Sequence, residues 1–191
     1  MKNQLVKLAI TGGGGILIVF TGVVSFAKIM DRDPDLAFAY STQGIVRAVL
    51  FDDRQGAIDS YSQAIQLQPD RANNYYLRGK TRYKLGNKQG AIDDYNKAIQ
   101  LQPDYINAYL SRGVVRASMG NTKDALADYD RAIAIKPDDA NSYYHRGIAR
   151  SYLGDRKKAI DDLNKAAELY KEQGNTKDYR DALDRANKLS K

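Results

Sequence analysis

Two patterns of apolar residues divide the chain. Between Lys7 and Lys28 runs LAITGGGGILIVFTGVVSFA, twenty residues without a charge. As a helix this run spans about 30 Å, the thickness of a bilayer's hydrocarbon core. From Asp31 onwards small and aromatic residues recur at helical spacing, broken by glycine and proline signals. GAIDSYSQAIQLQPD, GAIDDYNKAIQLQPD and DALADYDRAIAIKPD follow one another at 34-residue intervals, and KAIDDLNKAAELYK continues the series in diverged form. Gly79, Gly113 and Gly147 keep the same spacing, as do Gly86, Gly120 and Gly154. Each period predicts two helices. Pro69, Pro103 and Pro137 end the second, and Asp70, Asp104 and Asp138 are placed to cap the next. After EQGNT, the stretch KDYRDALDRANKLSK sets Tyr179, Leu183, Ala186 and Leu189 on one helical face, predicting a final covering helix.

Small residues such as Gly79 and Ala91 let two antiparallel helices approach, while Tyr75 and Tyr95 fill the gaps beside them. One such hairpin cannot bury its faces alone, so hairpins must stack. The second unit carries Tyr75, Gly79, Ala91, Tyr95, Ala98 and Pro103 in order, and the third carries Tyr109, Gly113, Ala125, Tyr129, Ala132 and Pro137. The first has Tyr40, Gly44, Ala57, Tyr61, Ala64 and Pro69, with an inter-helix turn one residue longer. The fourth keeps Tyr143, Gly147, Ala159 and Ala166 but has Leu163 for the aromatic and Lys171 for the proline. This pattern closely resembles the tetratricopeptide repeat (TPR) family over about residues 35–171. The resemblance implies an all-α protein, a right-handed α-solenoid of four TPR hairpins (37–71, 72–105, 106–139 and 140–171) with a capping helix at 172–191. One N-terminal hydrophobic helix (1–30) and a short linker (31–36) are expected to precede it.

That N-terminal run, residues 8–27, is expected to anchor the chain in a membrane as a single pass. The competing expectation is a cleaved signal peptide, for which Lys2 and Lys7 form the basic end and Ser25-Phe26-Ala27 the cleavage site, leaving a periplasmic or secreted protein. The formal net charge of +7 owes three units to Lys2, Lys7 and Lys28; both signs interleave over the rest, so a nucleic-acid partner is not expected. Cysteine is absent and His145 is the one histidine, so no thiolate chemistry or zinc–thiolate site exists. No phosphate loop or nucleophile elbow occurs either. The chain is not expected to be an enzyme, to hold a cofactor or metal, or to turn over a small molecule.

YYLRGKTRYKLG raises a sharper question, because Arg78 and Arg82 stand one turn apart on a face that should be apolar. Numbered within the unit, position 7 holds Gln43, Arg78, Arg112 and Arg146, and position 23 holds Ser60, Asp94, Asp128 and Asp162. The unit without the arginine is the unit without the aspartate. The two positions lie at matching depth in an antiparallel hairpin, so structural ion pairs Arg78–Asp94, Arg112–Asp128 and Arg146–Asp162 are expected, with a neutral Gln43/Ser60 pair in the first unit. An arginine ladder for an acidic ligand is the functional alternative. Position 11 is Arg47, Arg82, Arg116 and Arg150 in all four units, with no co-varying partner.

The resemblance further implies a groove lined by the first helices near positions 2, 5, 9, 12 and 13. On this sequence the partner-binding candidates are Asn73, Tyr76, Lys80 and Tyr83; Asn107, Leu110 and Val114; and Asn141, Tyr144, Ile148 and Tyr152. The asparagines can bind an extended backbone or serve helix-start chemistry, and the apolar strip can seat a partner's peptide or helix, the chain's own terminal segment, or a second copy. The clamp by which some TPR domains grip acidic chaperone tails is not matched, since Ser41 and Ile45 occupy its positions in the first unit. The expected function is a non-catalytic scaffold for protein–protein interaction. The chain also resembles bacterial and organellar membrane-anchored TPR proteins that assemble or maintain membrane complexes.

Overall fold

The computed structural model describes residues 36–191, which form helices and turns without strands. The expected N-terminal hydrophobic helix and most of the linker lie outside these described residues, and among the described helices none is long and apolar enough to cross a membrane. Four hairpins follow one another. They are α1 (Leu36–Leu50) with α2 (Arg54–Leu67), α3 (Ala72–Lys84) with α4 (Lys88–Leu101), α5 (Ile106–Ser118) with α6 (Thr122–Ile135), and α7 (Ala140–Tyr152) with α8 (Arg156–Glu172). A last helix, α9 (Thr176–Ser190), packs along α8.

Turn chemistry sets these boundaries. Gly86, Gly120 and Gly154 end the first helices of units two to four with φ of 83°, 85° and 80°, a region that side chains avoid. In the first unit's longer turn Asp52 takes that conformation instead, with φ 50°. The second helices of the first two units start on Asx caps, Asp53 accepting from the Gly56 N–H and Asn87 from the Gly90 N–H, whereas Asn121 and Asp155 at the same place make no side-chain cap. The expectation that Asp70, Asp104 and Asp138 cap the following first helices is corrected. The N-cap residues are Arg71, Tyr105 and Asp139, one position further on, and only Asp139 makes a side-chain cap, to Ser142 N–H. The turn after each proline takes one residue more than the capping argument allowed. With Lys171 in place of proline, α8 runs on for 17 residues, against 14 in α2, α4 and α6.

Inside each hairpin the glycine at position 8 and the ring at position 24 interlock. A methyl group built on Gly44, Gly79 or Gly113 would lie 2.5, 2.9 or 2.5 Å from Cε1 of Tyr61, Tyr95 or Tyr129. On Gly147 it would meet Leu163 at 2.9 Å, so the fourth unit uses the same close approach with an aliphatic partner. These four side chains are among the largest that are wholly buried. Between hairpins, successive first helices touch one another directly in addition to packing on the preceding second helix, which makes the row of first helices the inner wall. At the far end α9 buries Ala182 and Ala186, and Tyr179 and Leu183 pack against the cluster built on Ala166, Ala167 and Tyr170.

Gly113→Ala is expected to lower unfolding stability by about 1–3 kcal/mol, because the ring of Tyr129 has no room to retreat. Denaturant titration checks this; an unchanged midpoint would contradict the interlock.

Candidate functional site

The inner aspartates explain the arginines. Arg78 Nη2 lies 2.7 Å from Asp94 Oδ1, Arg112 Nη2 lies 2.6 Å from Asp128 Oδ1, and Arg146 Nη2 lies 2.7 Å from Asp162 Oδ1. Each Nε donates to the same carboxylate, giving a forked contact. The carboxylates are 3–5% exposed, so their charges would be costly without partners. In the first unit the Ser60 hydroxyl donates to Gln43 Oε1 at 3.2 Å and to the Gly56 carbonyl. Each position-7 guanidinium also lies over the tyrosine one turn earlier, 5.3–5.6 Å from the ring centres of Tyr75, Tyr109 and Tyr143.

The position-11 row proves to be the second half of the same arrangement. Arg82, Arg116 and Arg150 donate through Nη1 to the other oxygen of Asp94, Asp128 and Asp162, at 2.8–2.9 Å. Arg47, whose unit lacks the aspartate, donates to the Gly56 carbonyl at 3.0 Å. No sequence covariation marks this row because the arginine persists where its acid is missing. A further link went unforeseen: the remaining Nη1 of the position-7 arginines crosses to the preceding hairpin. Arg78 meets Ser62 Oγ, Arg112 meets Asn96 Oδ1 and Arg146 meets Asp130 Oδ1, at 3.0, 2.6 and 2.7 Å. Burial works against the Arg146 charge, but the hydrogen bonds it donates to Asp162 and Asp130 outweigh that and raise its pKa.

The groove candidates separate into three groups. Several are used by the fold itself. Tyr76 is half-buried, with its ring centre 5.2 Å from Tyr105 and 6.0 Å from Tyr95, while Leu110 and Val114 pack against Tyr129 and Ala149. Tyr83 packs beside Ile92 and Val115. Asn73 accepts a hydrogen bond from the Tyr105 hydroxyl at 2.9 Å, and Asn141 accepts one from Tyr170 at 2.7 Å. A second group is occupied by the C-terminal helix. The Tyr144 hydroxyl donates to Asp181, and Arg185 lies 5.6 Å from its ring centre. Burial pushes the Tyr144 phenol up to about 12, and the hydrogen bond to Asp181 adds to the shift. This end of the strip is therefore filled by the chain itself. The third group faces open space: Lys80, Asn107 and Tyr152 are exposed, and Ile148 and Tyr152, together with Val114 of the first group, line a cavity of about 400 Å³.

That cavity opens between α5 and α7 over α6. Ala117 and Ser118, at positions 12 and 13 of the groove pattern, also line it, and Gly120, Thr122, Tyr129, His145 and Ala149, which that pattern does not nominate, complete its walls. His145 was noticeable in sequence only as the single histidine. Its ring stacks on Tyr129 (5.9 Å, 23° between planes) and stands edge-on to Tyr144 at 5.4 Å. Burial pushes its imidazole below the ordinary value, partly opposed by Asp139. The cavity is thus apolar and aromatic, with one neutral imidazole in its wall. No cluster of metal-binding side chains occurs among the described residues.

Stacked hairpins with an open inner wall define a helical-repeat binding protein, and the chain belongs to the tetratricopeptide repeat family. The TPR repeat pattern matches residues 54–86, 81–120 and 115–154, and a second tetratricopeptide repeat pattern matches 140–173. No curated protein matches the chain in sequence. Among solved structures, MamA is similar at 29% identity and a TM-score of 0.70, over 78% of this chain and 86% of MamA. YrrB, described as a TPR protein with an unusual peptide-binding site, aligns at 19% identity and a TM-score of 0.62, over 86% of this chain and 92% of its own. The first TPR of Spaghetti (RPAP3), solved with an HSP90 peptide, aligns at 22% and 0.61, over 64% and 96%. The last two share the fold alone.

Arg78→Ala and Asp94→Ala are each expected to cost about 3–5 kcal/mol, with the double variant losing less than the sum. Asp94→Ala should be the worse, since it strands two guanidinium groups; strictly additive losses in denaturant unfolding would contradict the pairing. His145 adds a pH term. With its folded pKa depressed, the unfolded chain binds the proton first, so stability falls as pH drops below about 6.5 and the loss levels off below the folded value. A His145→Phe variant should show a flatter melting temperature between pH 7 and 5.5 than the parent.

Proposed function

We propose that this chain is a non-catalytic scaffold whose inner wall binds a peptide or helix of a partner protein. In this reading residues 8–27 hold it at a membrane, and it serves the assembly or maintenance of a membrane protein complex. The observation that carries the binding part is the apolar cavity between α5 and α7, open on the inner wall and filled by no side chain of the described chain. Rigid aromatic walls such as Tyr129 and Tyr152 suit an anchoring side chain, since little freedom is lost on contact. YrrB and the first TPR of Spaghetti, both described with peptides, support the class of ligand but not its identity. The uncharged run of twenty residues supports the membrane part. A soluble periplasmic or secreted adaptor is the second reading, favoured by Ser25-Phe26-Ala27 at the end of that run.

Affinity capture from solubilised membranes tests the binding surface. A folded Ile148→Ala/Tyr152→Ala variant should lose partners that the wild type retains, and identical sets from both would contradict the cavity as the site. Intact-mass measurement of the mature chain decides the N-terminus: a full-length mass is expected for the anchor, whereas loss of residues 1–27 establishes the secreted adaptor.

A further inference from the structure

The apolar side chains that the fold leaves in water are not scattered. Of the ten large ones exposed among the described residues, seven stand where a first helix ends and its hairpin turns. They are Val49, Leu50 and Phe51 in the first unit, Leu85 in the second, Met119 in the third, and Tyr152 and Leu153 in the fourth. Leu85, Met119 and Leu153 are the C-cap residues just before the left-handed glycines. The glycine closes the helix without help from that side chain, and none of the three joins a core cluster among the described residues. Leu50 and Phe51 stand side by side at 70% and 58% exposure. An apolar row that neither the turn nor the core uses marks a surface for contact with something else.

Charge is sorted the same way. The four hairpin turns, taken with two helical residues on either side (49–55, 83–89, 117–123 and 151–157), hold six arginines and lysines against three aspartates, a net +3. The three turns that join one hairpin to the next (66–73, 100–107 and 134–141) hold two against four, a net −2, and expose one large apolar side chain, Leu67. Lys84, Lys123 and Lys157 are exposed and make no ion pair among the described residues. Lys88 and Arg156 donate only to backbone carbonyls, those of Ser118 and Leu189. The first of these bonds ties the second turn to the third, and the other ties the fourth to the end of α9. The two edges of the stack therefore differ: one is apolar and basic, the other polar and acidic.

Apolar side chains flanked by unpaired cations fit a partner that offers hydrocarbon beneath negative charge. We propose that the hairpin-turn edge is a lipid-binding surface. It lies on an anionic bilayer, with Leu50, Phe51 and Leu153 among the upper acyl chains and Lys84, Lys123 and Lys157 at the phosphates. This rests on the reading in which residues 8–27 enter a membrane, and adds that the repeat domain lies down on it. Chain length permits the arrangement. α1 starts at the opposite edge and its 15 residues cover about 22 Å. The eight residues 28–35, between the apolar run and Leu36, reach up to about 27 Å. The tether is thus long enough to bring the turn edge down beside the anchor. Gly120, Thr122 and Tyr152, in the wall of the α5–α7 cavity, belong to these same turns. A guest in that cavity is then held at the membrane surface, where the exposed segments of a membrane protein lie.

The chain has no tryptophan, so Leu50→Trp, Leu153→Trp and Asp104→Trp each supply a single fluorescent reporter. The first two sit on the hairpin-turn edge and the third on the opposite edge, all at exposed positions. The full chain is reconstituted in vesicles of equal parts phosphatidylglycerol and phosphatidylcholine, with circular dichroism checking that each variant keeps its helices. Bromine on the acyl chains should quench the Leu50→Trp and Leu153→Trp reporters about twofold or more and leave the Asp104→Trp reporter undimmed. Added salt, or phosphatidylcholine alone, should weaken the quenching at Leu153→Trp. Lys84→Glu/Lys123→Glu/Lys157→Glu should weaken it too, whereas Lys84→Arg/Lys123→Arg/Lys157→Arg should preserve it. Quenching of all three reporters alike, of none, or without regard to lipid charge and lysine reversal overturns the inference; a chain that still resists alkaline carbonate then keeps its membrane anchor. Extraction by carbonate overturns the anchor reading itself, and this inference with it. An emission shift that follows protein density rather than lipid charge marks contact between copies and overturns the assignment to lipid.

Discussion

A carboxylate held almost out of water between two arginines recurs in each of the last three hairpins, at Asp94, Asp128 and Asp162. The rest of the described structure is arranged around that contact. An ion pair buried in this way adds little net stability compared with apolar residues of the same size, but it tolerates few geometries. Two guanidinium groups one turn apart on the first helix meet the two oxygens of one acid on the second. Rotating or sliding either helix would break both contacts. The Gly79–Tyr95 and Gly113–Tyr129 interlocks set how closely the helices approach, and the aspartate fixes their register.

The same arginines connect the hairpins. Position 7 reaches back to Ser62, Asn96 and Asp130 in turn, so the link between hairpins changes from a hydroxyl to an amide to a full ion pair along the chain. With the seam arginines so engaged, the inner wall is left with side chains of other kinds. Its C-terminal end is closed by α9 through Asp181 and Arg185 on Tyr144. Its middle holds the Val114–Ile148–Tyr152 cavity, and its N-terminal part carries Lys80 and Lys84. The first unit lacks the aspartate: Arg47 binds the Gly56 carbonyl instead, with the Asp53 carboxylate 3.9 Å away at the head of α2, and Gln43 and Ser60 form a neutral pair.

Local and repeated features were legible in the sequence. The 34-residue period, the glycine–tyrosine interlock and the turns at Gly86, Gly120 and Gly154 all depend on residues within one hairpin. The Arg78, Arg112 and Arg146 pairings could be inferred because Gln43 and Ser60 change together in the first unit. Arg82 and its equivalents could not, since an invariant row carries no covariation. What happens between hairpins was legible least. Tyr76 belongs to the groove positions by spacing, yet Tyr105 from the next turn covers it; Tyr144 belongs there too, yet α9 lies on it. His145 gave no periodic signal, and its place in the cavity follows only from how α5, α6 and α7 come together.

The arginine side-chain Nε–H signals of the isotope-labelled protein test the shared aspartate most directly, because each reports the exchange of one proton with water. Slow exchange is expected at Arg78, Arg112 and Arg146, whose Nε atoms donate to the buried carboxylates. Asp128→Asn should release Arg112 while leaving Arg78 protected. Exchange at the free-solvent rate for all three arginines would contradict the account.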